Sequence, residues 1–202
     1  MSGSTDELEV KARVENPDAL VRALEAAGAR LEYRGEMIDR RYDRDHRLSR
    51  RDEVLRLRVY RPAGDTPAAT IPGVLGWKGK VRRRRGYRRR EEWETRVADS
   101  EAVLGILERL GFEVVLRIDR TIAQYTLHGA TVRLEWYPKM DVLVEVEGAP
   151  QAIERAVAAT GLPRERFLPE SLPYFIRAYE RRTGARARLA KWGRGGGEGG
   201  GT

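Results

Sequence analysis

Cysteine is absent from this chain of 202 residues, and histidine occurs only at His46 and His128. The first absence excludes disulfides and thiolate metal ligands. The second leaves almost no imidazole for a Ser-His-Asp relay or a nitrogen-ligated metal. A Gly-x4-Gly-Lys-Ser/Thr loop is missing as well, and Gly73, Gly76 and Gly79 stand at the wrong spacing for either common phosphate-binding glycine motif. No segment approaches the ~18 uninterrupted apolar residues of a membrane-spanning helix. The polar start Met1-Ser2-Gly3-Ser4-Thr5-Asp6 has no apolar run behind it, so a cytoplasmic protein without membrane contact is expected. What the chain holds in abundance is charge: 39 Lys and Arg, 31 Asp and Glu, together 35% of its residues. Its length and 41% hydrophobic content suit one substantial core.

The charges are not scattered. In Glu7-Leu8-Glu9-Val10-Lys11 and Leu143-Val144-Glu145-Val146-Glu147, strand alternation puts the ions on one face and the apolar residues on the other. A solvated outer face would explain one such strand. The pattern recurs in Leu55-Arg56-Leu57-Arg58-Val59, Arg90-Glu91-Glu92-Trp93-Glu94 and Val132-Arg133-Leu134-Glu135-Trp136. These faces are almost wholly Arg, Lys and Glu, without the Thr, Ser and Gln that a water-facing sheet mixes in. A barrel with a polar lumen fits better than an open sheet.

Two carboxylates about 4 Å apart repel by roughly 4 kcal/mol at an effective dielectric near 20. Glu7, Glu9, Glu145 and Glu147 therefore converge only if protonated, separated or bridged by a cation, and hard Mg²⁺ or Mn²⁺ is the matching ion. Arg and Lys on the remaining wall suit phosphate oxygens. Carboxylates for metal with cations for phosphate describe a polyphosphate site.

Glu7-x-Glu9-x-Lys11 resembles the signature of the CYTH domain, the triphosphate tunnel metalloenzymes, which include class IV adenylyl cyclases, thiamine triphosphatases and inorganic triphosphatases. Asp39, Tyr42 and Asp43, the Leu55-Arg56-Leu57-Arg58 strand, the Arg90-Glu91-Glu92-Trp93-Glu94 strand and Glu145-Val146-Glu147 follow in the family's order. Trp77-Lys78-Gly79 is similar to the aromatic-Lys-Gly segment of the cyclase-like branch. The resemblance implies an α+β fold, an antiparallel eight-stranded barrel with helices outside, over residues 1–184. It implies metal ligation by Glu7, Glu9, Glu135, Glu145 and Glu147, and triphosphate binding by Lys11, Arg56, Arg58, Lys78, Arg90, Arg120 and Arg133. Lys11, Lys78, Glu92 and Glu94 would carry catalysis, with Mg²⁺ or Mn²⁺ as cofactor. The implied reaction is conversion of ATP to cyclic AMP and pyrophosphate. The alternatives are a triphosphatase acting on inorganic, thiamine or nucleoside triphosphate, and a non-catalytic polyphosphate- or nucleic-acid-binding module. A homodimer stays open. The sequence departs from the family at Glu135, where Asp is usual, at Arg41, which replaces an aromatic, at Lys139-Met140-Asp141, at Ile118 in a Lys-x-Arg pair, and at Pro173.

Three strand-then-helix units are expected. Asn16-Pro17-Asp18 caps a helix with the stripe Leu20, Val21, Leu24 and Ala27 before Gly28; Asp99 precedes Val103, Leu104, Leu107 and Leu110; Pro150 opens a third with Ile153 and Val157. A last helix runs from about Leu172 to Thr183. The basic run Lys80 to Arg90 reads as a solvated loop that steers anions, with nucleic acid the less favoured partner. Residues 185–202, rich in Gly and Arg, read as a disordered tail without chemistry.

Overall fold

The chain is described here by a computed structural model covering residues 5–63, 73–84 and 86–191, without the side chains of residues 5–7 and 84. Nine strands occur in it, β1 (Thr5–Val14), β2 (Arg30–Asp43), β3 (Val54–Pro62), β4 (Gly73–Lys78), β5 (Arg82–Arg84), β6 (Tyr87–Val97), β7 (Glu113–Leu127), β8 (Ala130–Trp136) and β9 (Val142–Glu147). The helices are α1 (Pro17–Ala26), α2 (Ser100–Arg109), α3 (Pro150–Ala159) and α4 (Leu172–Thr183). Eight strands pair in the order β1-β9-β8-β7-β2-β3-β4-β6, and β6 returns to β1, which closes an antiparallel barrel with no free edge in the ring. β5 stands outside that ring, paired to β6 alone.

Local chemistry sets the helix ends where the sequence expects them. The Asn16 side chain accepts the Ala19 amide at 3.0 Å and Asp99 accepts that of Ala102 at 2.9 Å, so each helix start has a satisfied donor. Gly184 ends α4 in the left-handed region at φ 69°, where a β-carbon would be strained.

Each apolar strand face meets a helix. Leu20 and Leu24 of α1 and Ile153 and Val157 of α3 pack with Val10, Val132, Val144 and Val146 from the outward faces of β1, β8 and β9. Leu107 of α2 packs with Tyr42, Leu57 and Val97. α4 is different: its Leu172 and Phe175 meet Ile118 and Leu143, which share the inward face with Arg120 and Glu145. One end of the lumen is thereby plugged by apolar side chains.

Two segments depart from expectation. The basic run is not a loop, because Arg82–Arg84 pair with Tyr87–Arg89 as a hairpin and alternation turns Arg88 and Arg90 into the barrel; Arg85 lies outside the described residues. The stretch from Ala185 is not a free tail over its first residues. Arg188 exchanges both backbone bonds with Lys139, the Asp119 amide donates to Leu189 at 2.7 Å, and the Lys191 amide donates to the Asp119 carboxylate at 2.9 Å. Leu189 packs beside the α4 plug. Residues 192–202 lie outside the described residues.

Candidate active site

Inward-facing positions of the barrel line a single cavity of about 610 Å³ counted with its open mouth. Nine Lys and Arg and four Asp and Glu surround it. The signs are divided. Carboxylates Glu9, Glu145 and Glu135 come from the neighbouring strands β1, β9 and β8, with Lys11 and Arg133 among them, whereas every charged residue that β3, β4 and β6 contribute to the lining is a cation: Arg56, Arg58, Lys78, Arg88 and Arg90. Asp39 and Arg41 of β2 and Arg120 of β7 stand between these walls.

Buried charges are tolerable only when paired, and here they alternate. Lys11 Nζ lies 3.1 Å from Glu9 and also contacts Glu145, which takes Arg133 on its other oxygen. Glu135 holds Arg120 at 3.1 Å and Arg133 at 3.3 Å, and accepts the Tyr137 hydroxyl at 2.5 Å. Arg56 bonds Glu94 at 2.7 Å, Lys78 contacts Glu92, and Arg88 contacts Glu9. Burial alone would raise the acids. Instead Arg58 and Arg120, with Arg56 and Arg41, hold the Asp39 carboxyl well below the carboxylate range. Against the same burial, Arg120 and Arg133 bring Glu135 to about 2. Burial and the Glu135 charge push the Tyr137 hydroxyl up, so it stays a donor.

The residues expected from the sequence fall into three groups. Lys11, Arg56, Arg58, Lys78, Arg90, Arg120 and Arg133 line the cavity, as do Glu9, Glu135 and Glu145. Arg90 is partly committed to structure: Nε donates to the Gly79 carbonyl at 2.5 Å, and Nη2 bonds the Asp52 carbonyl. Glu92 and Glu94 are not in the lining but share the strand face of Arg88 and Arg90, and they brace Lys78, Arg56 and Arg58. Gly76 leaves them room, since a β-carbon there would sit 3.1 Å from the Glu94 carboxylate and 3.5 Å from Arg56 Nε. Glu147 is half-buried and outside the lining, and the Glu7 side chain lies outside the described residues. Four of the charged or phenolic lining residues were not assigned a role from the sequence: Asp39, Arg41, Arg88 and Tyr137. Alternation from Arg90 back to Arg88 would have found the third, had the basic run been read as strand.

Of the expected metal ligands Glu7, Glu9, Glu135, Glu145 and Glu147, only the last four have described side chains. Among the described residues no three acidic or imidazole groups stand close enough to hold one ion, and Glu9, Glu135 and Glu145 each turn to an Arg or Lys. The donor type still fits a hard divalent cation: Glu9 and Glu145 already converge on one cationic atom, Lys11 Nζ.

A closed antiparallel barrel with helices outside and a charge-lined lumen defines a class of tunnel proteins. The chain belongs to the CYTH domain family, which it matches over residues 5–162. Members are in general metal-dependent enzymes that bind triphosphates. No curated protein matches the chain in sequence. Among solved structures, a candidate adenylate cyclase from Vibrio parahaemolyticus is 20% identical, with TM-score 0.69 over 85% of this chain and 97% of that one. A Pyrococcus horikoshii protein is 24% identical, with TM-score 0.67 over 87% of this chain and 99% of that one. A candidate adenylyl cyclase from Hippeastrum, reported with a dominant triphosphatase activity, is 18% identical, with TM-score 0.59 over 85% and 95%. At these identities the likeness is one of fold.

Proposed function

We propose that this protein is a metal-dependent enzyme that binds a triphosphate inside the barrel and cleaves it. The distribution of charge carries the reading: one cavity gathers Glu9, Glu135 and Glu145 on β1, β8 and β9, and only cations among the charged residues of β3, β4 and β6. Glu9 and Glu145, joined by Glu7 through its motif and by Glu135, would hold Mg²⁺ or Mn²⁺. The chemistry such an ion supplies when bound is neutralisation of phosphate charge and activation of water. Arg56, Arg58, Lys78 and Arg133 would grip non-bridging oxygens, with Glu92 and Glu94 fixing the cations in place, so that charge building on phosphate in the transition state meets prearranged donors.

Hydrolysis is the reaction best supported. Among the described residues the lining has one aromatic ring, Tyr137, and its face is already taken by Arg120 at 5.9 Å. Trp77, whose motif leans toward the cyclase branch, is not in the lining but pairs in register with Trp93. Among the described residues the wall thus reads phosphate and presents no ring free to stack on an adenine base. Cyclisation of ATP is the second reading, favoured by the Trp77-Lys78-Gly79 resemblance. Incubation with inorganic triphosphate, ATP and thiamine triphosphate in Mg²⁺ or Mn²⁺, with products separated, distinguishes them. Orthophosphate supports hydrolysis, cyclic AMP with pyrophosphate supports the cyclase, and no turnover of any of the three overturns both.

A further inference from the structure

Eight of the nine cations lining the cavity have an acidic or carbonyl partner; Arg41 has none among the described residues. Its Nε is buried without a hydrogen bond. Its neighbour in the β2–β3 register is Arg56, another guanidinium. On the β7 side the ladder is irregular at this point: Leu116 faces Arg41 and Val114 faces Tyr42, which leaves Val115 as an extra residue. Such bulges redirect side chains. Burial lowers the Arg41 guanidinium to about 10 although Asp39 opposes it, and Arg56, Arg120 and Arg58 add to the lowering. A guanidinium held this way, among like charges and with its Nε donor unused, works against the empty fold.

We propose that Arg41 anchors one phosphoryl group of the substrate, as the cation that can take an anion without first releasing a carboxylate. The proposal rests on the triphosphate reading above and adds to it a residue and an order of events. The phosphate chain engages Arg41 first, and the paired cations rearrange onto it afterwards. Arg41 therefore acts in binding and not in the bond-breaking step.

Calorimetric titration of the full chain with inorganic triphosphate, in chelator and without divalent cation, tests this directly. Arg41→Gln should weaken binding about ten- to hundredfold, the scale of a lost charged hydrogen bond. Arg41→Lys should lose less, and Arg117→Gln, which removes one exposed charge from the adjacent strand, should bind as the wild type does. The melting temperature of Arg41→Gln should equal or exceed that of the wild type, and its turnover should show raised KM with kcat preserved. Unchanged affinity in Arg41→Gln, beside a wild type that binds, overturns the Arg41 role and leaves the proposed function standing. A melting temperature that falls together with affinity also overturns it, because the arginine would then be structural. A wild type that binds no triphosphate, with or without metal, removes the proposed function and this inference together.

Discussion

Lys11 stands between Glu9 and Glu145, and Glu145 also takes Arg133, so one charge change at Glu145 reaches two cations. Glu145→Gln should destabilise the protein by about 3 kcal/mol, since it leaves Lys11 and Arg133 buried with a weakened partner. Glu147→Gln, at a half-buried position outside the cavity lining, should cost about 1 kcal/mol or less. Urea unfolding of the two variants checks the contrast, and equal losses would remove the distinction between the two glutamates. Asp43 gives a second test at this scale. Burial pushes its carboxyl up, but the amides of Leu48, Ser49 and Arg44 outweigh that and bring it down to about 2 from 3.8. With a folded value below the unfolded one, its contribution is full above about 3.8 and disappears as pH falls through about 2. The melting temperature should drop across that window, and Asp43→Asn should flatten the drop. A profile unaltered by the substitution would mean that these hydrogen bonds do not stabilise the loop.

The four helices and the alternating strands were legible because each has a local cause: Asn16 and Asp99 as caps, Gly28 and Gly184 as stops, and strict period-two charge in β1, β3, β8 and β9. Much of the cavity wall followed from that alternation. The pairing of its charges did not, because which carboxylate turns to which cation depends on strands far apart in the chain. Arg88 was hidden in a run whose composition reads as loop, and Tyr137 lies one residue beyond the end of β8, where alternation no longer applies. The last described segment was misread for a similar reason. Its Arg and Gly content resembles a flexible tail, yet its order comes from Lys139, Asp119 and Leu189, contacts invisible in composition. A chain ending at Gly184 should therefore lose about 2 kcal/mol, from several backbone hydrogen bonds and the Leu189 contact. Chemical unfolding reads this, and a midpoint identical to that of the full chain would show the segment to be dispensable.

At the scale of the whole molecule, a formal net charge of +8 and a cation-rich cavity should draw in anions from a distance. Arg82 and Arg83 on the outer hairpin are exposed and contribute to that field. Replacing both with Ser should lower kcat/KM for a triphosphate at low salt and have little effect near 0.15 M, where the screening length is about 8 Å. A loss of the same size at both ionic strengths would assign these arginines to contact and not to attraction. The ring closure has another consequence, which concerns time. β1 leaves the ribosome before the other strands of the barrel, yet its partners are β6 on one edge and β9 on the other. Until β9 is synthesised, β1 presents an unpaired edge and β8 lacks its second neighbour. Folding is thus bound to be dominated by contacts distant in sequence, which makes it slow. The nascent chain must survive with open strand edges that can pair with other molecules. The alternation of Glu and Lys along β1 then protects the chain before it has any substrate to bind, because a half-ionic edge strand is a poor template for aggregation.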